Sequence, residues 1–362
     1  MEIKNMLNDP SKATNVIIQD IPDTITIEEL ESRPDCARLK DLFFTNPDEE
    51  KRKSRLCEYG IEKGRLPEAI AFAAQASRRE DFFLPLYTQE EIREDPELAG
   101  VFLMNFIRHP GKPICIICPG GGYNREWVLV EGYPMAQALD EHGINSVILI
   151  YRAGYYGLLP RPMDDLARAV SWLVEHESSP LITADTQPAH SGMKNYDMSR
   201  YTVMGASAGG HLCAMWGTRQ RGSRHYGLPS PAALLLMYPA ANLTLFYDLW
   251  ERQTAAGDTA GAQESAVFLK RVGGENFTRR DIESYSLDCL IDEAYPPTYV
   301  IHAQDDPVVP VENSRLTKQL LTQHGIRHHV HLVPKAGHSF GMGIGTDAEG
   351  WMEEAVAFWY DA

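Results

Sequence analysis

Positive charge is scarce in this chain: 34 Lys and Arg stand against 50 Asp and Glu, a formal net charge of -16 over 362 residues. Nucleic acids and anionic membrane surfaces are recognised by basic patches, so neither is an expected partner. Cysteine is sparse too. A chain this long buries a full core without staples, so Cys36, Cys57, Cys115, Cys118, Cys213 and Cys289 read as reduced, buried thiols. Cys115 and Cys118 form a CxxC inside the apolar run KPICIICP. On a strand that spacing points the two side chains to opposite faces, which excludes an easy shared metal and favours core packing. The opening MEIKNMLNDP lacks the basic start and apolar run of a secretory leader. No window approaches the roughly 18 apolar residues of a membrane span. A soluble, cytoplasmic protein is the expectation. Internal repeats and low-complexity tracts are missing as well.

What is there is ordinary globular composition, 44% hydrophobic and 23% charged, arranged in alternating patterns. Strand-like runs occur at 99–107, 113–118, 144–151, 200–204, 232–238, 298–303 and 328–333, near-continuously apolar and bounded by Gly or Pro. Amphipathic stretches lie between them, among them Leu166, Ala169, Val170 and Leu173, and Met352, Ala355, Val356 and Trp359. This alternation predicts an α/β fold with a mostly parallel central sheet, helices on both faces and a ligand site beyond the carboxyl ends of the strands. Residues 1–80 read instead as a helical extension: Thr26 with Glu29 forms a capping box, and Asn46-Pro47 precedes an acidic first turn. Leu39, Leu42 and Phe43, then Ile70, Ala73 and Ala74, supply its apolar stripes. The remaining 81–362 are expected to form the α/β domain, with a helical cap insertion at 241–290.

Gly205-Ala206-Ser207-Ala208-Gly209 follows the strand RYTVM and precedes a helical stretch. That is the context of a nucleophile elbow, in which small residues two positions either side of the serine relieve a very tight turn. The bland alternative is a glycine-rich strand-to-helix turn. Pro119-Gly120-Gly121-Gly122-Tyr123, after the earlier strand PICIIC, argues against it. Bare glycine amides there approach a tetrahedral oxyanion without obstruction, so the amides of Gly121, Gly122 and Ala208 are the expected oxyanion hole. A phosphate loop is the rival reading, but no Lys-Ser/Thr follows and no GxGxxG spacing is present.

A serine hydroxyl needs a base, and the base an orienting acid. His338 lies in a Gly-flanked loop just after the last strand, LVPKAGHSFGMG, whereas most other histidines sit in strands or at helix ends. For the acid, HAQDDPVVP follows the strand TYVIHA; both Asp305 and Asp306 are candidates, and the D-x-x-V-P form favours Asp306. The order Ser207, Asp306, His338 on these elements is that of a serine hydrolase.

Taken together, these motifs resemble the α/β-hydrolase superfamily, and more narrowly an esterase group reading PGGGY, EG-x-x-x-A, YR, D-x-x-R-A and SAGGH. Here these are 119–123, Glu131-Gly132 to Ala136, Tyr151-Arg152, Asp165 to Ala169 and Ser207 to His211, continuing through Asp306-Pro307-Val308-Val309-Pro310 and Gly337-His338. The similarity covers roughly residues 99–362 and implies bacterial acetyl-xylan and other carbohydrate esterases as relatives. It implies hydrolysis of a short acyl ester, most often acetyl, on a sugar or small alcohol, with no cofactor and no metal. The partner would then be a small-molecule ester or acylated oligosaccharide, with self-association into a homo-oligomer left open. Tyr123, Asn124 and Glu126, directly after the oxyanion glycines, are the expected substrate contacts. Glu131, Arg152, Asp165 and His211 read as structural supports. Two other classes stay in view: an amidase or peptidase on the same triad, and a ligand-binding protein on a retired hydrolase scaffold. The long 178–199 link departs from the group's pattern.

Overall fold

The computed structural model describes residues 21–22, 24–39, 53–56, 65–179 and 194–362. Leu42, Phe43, Asn46-Pro47, Cys57 and most of the 178–199 link lie outside the described residues. One sheet carries β1 (Phe83–Pro85), β2 (Phe102–Phe106), β3 (Pro113–Cys118), β4 (Asn145–Ile150), β5 (Asp197–Ala206), β6 (Ala233–Met237), β7 (Thr298–Ala303) and β8 (His328–Val333). Their order is β1-β2-β4-β3-β5-β6-β7-β8. The β1–β2 and β2–β4 pairings are antiparallel and all others parallel. Each apolar run named from the sequence contains one of these strands, except 200–204, which lies inside the longer β5. β1 was not foreseen: it has three residues, ends on proline and pairs only at the sheet edge, where proline's missing N–H is tolerated.

The central strands are apolar throughout because both faces are covered. Every residue of β2 and β4 is buried. Along β3, Cys115 and Ile117 join the core on one side, while Ile114, Ile116 and Cys118 join the core on the other. The CxxC thiols therefore face apart. Cys36, Cys115, Cys118 and Cys213 are free and buried, but Cys289 is exposed, because it sits on the short surface helix Leu287–Leu290. The expectation of uniformly buried thiols is corrected there.

Thr26 and Glu29 make the expected capping box, Thr26 N–H donating to Glu29 Oε2 (2.9 Å) and Glu29 N–H to Thr26 Oγ1 (3.2 Å). The helix Arg65–Ala76 packs on the helix Tyr133–Glu141. Its Leu66, Ile70, Ala73 and Ala74 share one buried cluster with Phe106 and Ile148 of the sheet. Between β6 and β7 run the helices Leu243–Ala255, Thr259–Gly273, Arg279–Glu283 and Leu287–Leu290. No described helix is long and apolar enough to cross a membrane.

Parallel pairing decides where the chemistry collects. Cys118 is in register with Gly205, Ala206 with Met237, and Ala303 with Val333. The loops that follow β3, β5, β6, β7 and β8 therefore leave the sheet at the same end.

Candidate active site

Ser207 stands at the junction of β5 and the helix Ser207–Trp216. Its φ is 52°, a left-handed conformation that L-residues adopt only under constraint. The constraint is visible. A Cβ on Gly205 would lie 2.3 Å from the Gly209 carbonyl oxygen, and one on Gly209 would lie 2.0 Å from that of Cys118. Among the described residues only four non-glycine residues have positive φ: Tyr123, Ser207, Tyr238 and Ser339. One follows the glycines of the loop after β3, one is the serine, one directly follows β6 and packs on His338, and one follows His338. Backbone strain of this kind, about 1–3 kcal/mol each, concentrates at functional sites.

The structure brings the three widely separated side chains together. His338 Nε2 lies 3.1 Å from Ser207 Oγ, and His338 Nδ1 lies 2.7 Å from Asp306 Oδ2. Nδ1 donates to the carboxylate, which leaves Nε2 to accept the serine proton. Asp306 is firmly held: its Oδ1 accepts Val308 N–H (2.8 Å) and Val309 N–H (2.9 Å). Burial pushes its carboxyl up, but hydrogen bonds from His302 and His338, the nearby His338 charge and the Val308 amide outweigh that and hold it down at about 2. Asp305 does something else. Its Oδ1 accepts the Ala336 and Gly337 N–H groups (3.0 and 2.9 Å), so it pins the loop that carries His338, and those two bonds lower its own carboxyl.

His302 is a participant that the sequence reading passed over. It is fully buried, its Nε2 donates to Asp306 Oδ2 (3.1 Å) and to the Val309 carbonyl (3.0 Å), and its Nδ1 lies 2.7 Å from Ser314 Oγ. The signal was present as a histidine four residues before the acid, hidden because a histidine inside an apolar strand reads as core.

Opposite the imidazole, the loop after β3 is built for close approach. A Cβ on Gly120 would fall 2.9 Å from the Ser207 Cβ, and one on Gly121 (φ 126°) 2.2 Å from the Arg125 carbonyl oxygen. Trp127 N–H donates to the Gly120 carbonyl (2.9 Å), and Arg271, from the helix Thr259–Gly273, donates to the Gly122 carbonyl (3.0 Å). The amides of Gly121, Gly122 and Ala208 have no acceptor among the described residues.

Of the three expected substrate contacts, Tyr123 and Glu126 are buried. Tyr123 is fully buried and holds a positive φ of 57°. Its hydroxyl donates to His211 Nδ1 (2.7 Å), and His211 Nε2 donates to the Tyr285 carbonyl (2.6 Å). Burial drives the His211 imidazole down to about 4 against the pull of that carbonyl, so it sits neutral behind the loop. Glu126 is 3% exposed, and Asn124 alone of the three is only half-buried. Arg152 and Asp165 make the supporting ion pair read from the sequence: Nη2 to Oδ1 is 2.9 Å, with the Arg152 amide and the Tyr87 hydroxyl on the same carboxylate (each 2.9 Å).

His329, His331 and Glu354 have ligand atoms within 4.8 Å of one another, the one such cluster among the described residues. They lie on β8 and the helix Trp351–Tyr360 and share no residue with the serine, imidazole and carboxylate above.

Comparison with known proteins agrees with this geometry. The curated protein named endo-1,4-beta-xylanase B, from Butyrivibrio fibrisolvens, is 24% identical over 245 residues, 65% of this chain and 34% of that protein. Esterase LipC of Mycobacterium tuberculosis is 25% identical over 254 residues, 69% of this chain and 58% of that protein. The chain thus spans about a third of the first of these curated relatives and somewhat over half of the second. A solved structure described as an acetyl ester-xyloside bifunctional hydrolase, from Caldicellulosiruptor lactoaceticus, superposes with a TM-score of 0.58 and 26% identity, covering 77% of this chain and 95% of that one. Residues 120–342, more than half the chain, match the family described as alpha/beta hydrolase fold, and the chain belongs to that family.

Proposed function

We propose that this chain is a serine hydrolase of carboxylic esters, acting on short acyl groups, acetyl foremost, carried by a carbohydrate. The observation that carries the reading is the continuous relay Ser207–His338–Asp306 at 3.1 and 2.7 Å, set among the four strained non-glycine residues. His338 takes the Ser207 proton as Oγ attacks the ester carbonyl, and the oxyanion rests on the amides of Gly121, Gly122 and Ala208. The imidazolium then protonates the leaving alcohol, an acyl-serine remains, and water deprotonated by the same imidazole releases the acid. The carbohydrate part of the reading is supported by the names of two relatives, a xylanase and an acetyl ester-xyloside hydrolase.

The test is a panel of p-nitrophenyl esters from acetyl to octanoyl, beside acetylated xylo-oligosaccharides and aminoacyl anilides. The expected pattern is fastest turnover of acetyl, release of acetate from the oligosaccharides and little anilide cleavage. Ser207→Ala should lose at least about 1,000-fold in kcat while its circular dichroism is unchanged. Full turnover by that variant, or anilides outpacing esters, would overturn the proposal.

A further inference from the structure

A second buried carboxylate stands behind the site. Glu131 ends the helix Val128–Glu131 and is 1% exposed. Its Oε2 accepts the Gly120 N–H (2.8 Å) and its Oε1 the Tyr238 hydroxyl (3.0 Å). Both partners belong to the site, and Ser339 adjoins it. Gly120 opens the glycine loop and presses against Ser207. The Tyr238 ring packs edge-on against the His338 imidazole with centroids 4.8 Å apart. Ser339 follows His338 in the chain, and both Tyr238 and Ser339 hold a positive φ. The Gly120 amide and the Tyr238 hydroxyl both donate, so each carboxylate oxygen serves as an acceptor, the part played by the ionised form. Burial raises the Glu131 carboxyl above the usual carboxylate range, and the His338 charge, the Gly120 amide, Ser339 and Tyr238 offset only part of that rise.

His338 is therefore faced by Asp306 through Nδ1, by Ser207 through Nε2 and by the ring of Tyr238, whose hydroxyl donates to Glu131. We infer that Glu131 is a positioning residue of this site: its ionised carboxylate ties the oxyanion loop to the wall of the histidine and stabilises His338 while it holds the proton taken from Ser207. The inference rests on the ester-hydrolase reading for its kinetic consequences, but its geometry does not.

Glu131→Gln keeps the shape and the acceptor for Gly120 while removing the charge. The measurement is the pH dependence of kcat/KM on p-nitrophenyl acetate for the full chain, Glu131→Gln and Tyr238→Phe. Glu131→Gln should lose roughly 10- to 100-fold in kcat with KM changed less than about threefold. Its acid limb should move to lower pH by roughly one unit, because an imidazolium without the second negative charge gives up its proton more readily. Tyr238→Phe keeps the charge, so its acid limb should stay in place. An unmoved limb in Glu131→Gln, or an equal shift in Tyr238→Phe, would overturn the inference. Should Glu131→Gln not fold, Glu131→Asp retains the charge on a shorter reach; it should lower kcat without moving the limb, and a moved limb would equally overturn it. If the unaltered protein cleaves no ester, the ester reading fails by itself. The same pH comparison is then made on the rate at which a fluorophosphonate probe modifies Ser207.

Discussion

Replacing Asp306 by asparagine tests the relay at its most constrained point. The Oδ1 position receives two backbone donors, Val308 and Val309 N–H, at 2.8 and 2.9 Å. The Oδ2 position receives His338 Nδ1 at 2.7 Å and His302 Nε2 at 3.1 Å. An asparagine with its NH2 toward the backbone would oppose two N–H donors and leave both without their acceptor. The amide oxygen is therefore forced to Oδ1 and the NH2 to Oδ2, where it donates to His338 Nδ1. His302 tolerates this, since it keeps the Val309 carbonyl at 3.0 Å. His338 does not: with Nδ1 accepting, the proton moves to Nε2, and the imidazole can no longer receive the hydrogen of Ser207. A wrong tautomer of this kind lowers kcat on the order of 10³- to 10⁴-fold, about 4–5.5 kcal/mol of barrier. Initial rates on p-nitrophenyl acetate near pH 7 read the loss. A variant within tenfold of the parent would refute the tautomer argument. The same substitution reports on stability. The Asp306 carboxyl is lowered in the fold to about 2, so its contribution, about 2 kcal/mol, is present above about pH 4 and fades as pH falls through about 2. Urea unfolding at pH 7 should show the parent more stable than Asp306→Asn by that amount, with the gap narrowing toward pH 2.

Two further outcomes follow from packing. Gly209→Ala would set a Cβ 2.0 Å from the Cys118 carbonyl oxygen, on backbone that cannot swing aside, so the expected loss exceeds about 3 kcal/mol and the melting temperature falls by at least about 5 °C; an unchanged melting curve would contradict the close approach. Arg152→Met strands the fully buried Asp165 and should cost about 3–5 kcal/mol in urea unfolding, whereas Arg152→Met with Asp165→Leu should recover part of it; a double variant as unstable as the single would show that the charge is not the cause.

Much of the architecture was legible because the central strands are covered on both faces, which forces the continuous apolar runs at β3, β4, β6 and β7. The serine turn was legible for a related reason: glycines appear wherever a Cβ cannot fit, and Gly205 and Gly209 mark such places. β1 was hidden, because three residues ending in proline carry no periodicity. His302 was hidden because composition cannot tell a core histidine from one whose ring reaches the acid loop.

Local sequence by itself determined the order of strands and helices, the tight turn at Ser207 and the candidates for base and acid, since each depends on sterics within a few residues. Adjacent aspartates look alike at that range. Only the tertiary structure sends Asp306 to His338 and Asp305 to the Ala336 and Gly337 amides, because the choice is made by a loop 30 residues later in the chain that parallel pairing of β7 with β8 brings alongside. It likewise turns Tyr123 inward onto His211 of the helix after β5 and seats Glu131 beneath Gly120 of the loop after β3, contacts which local patterning does not encode.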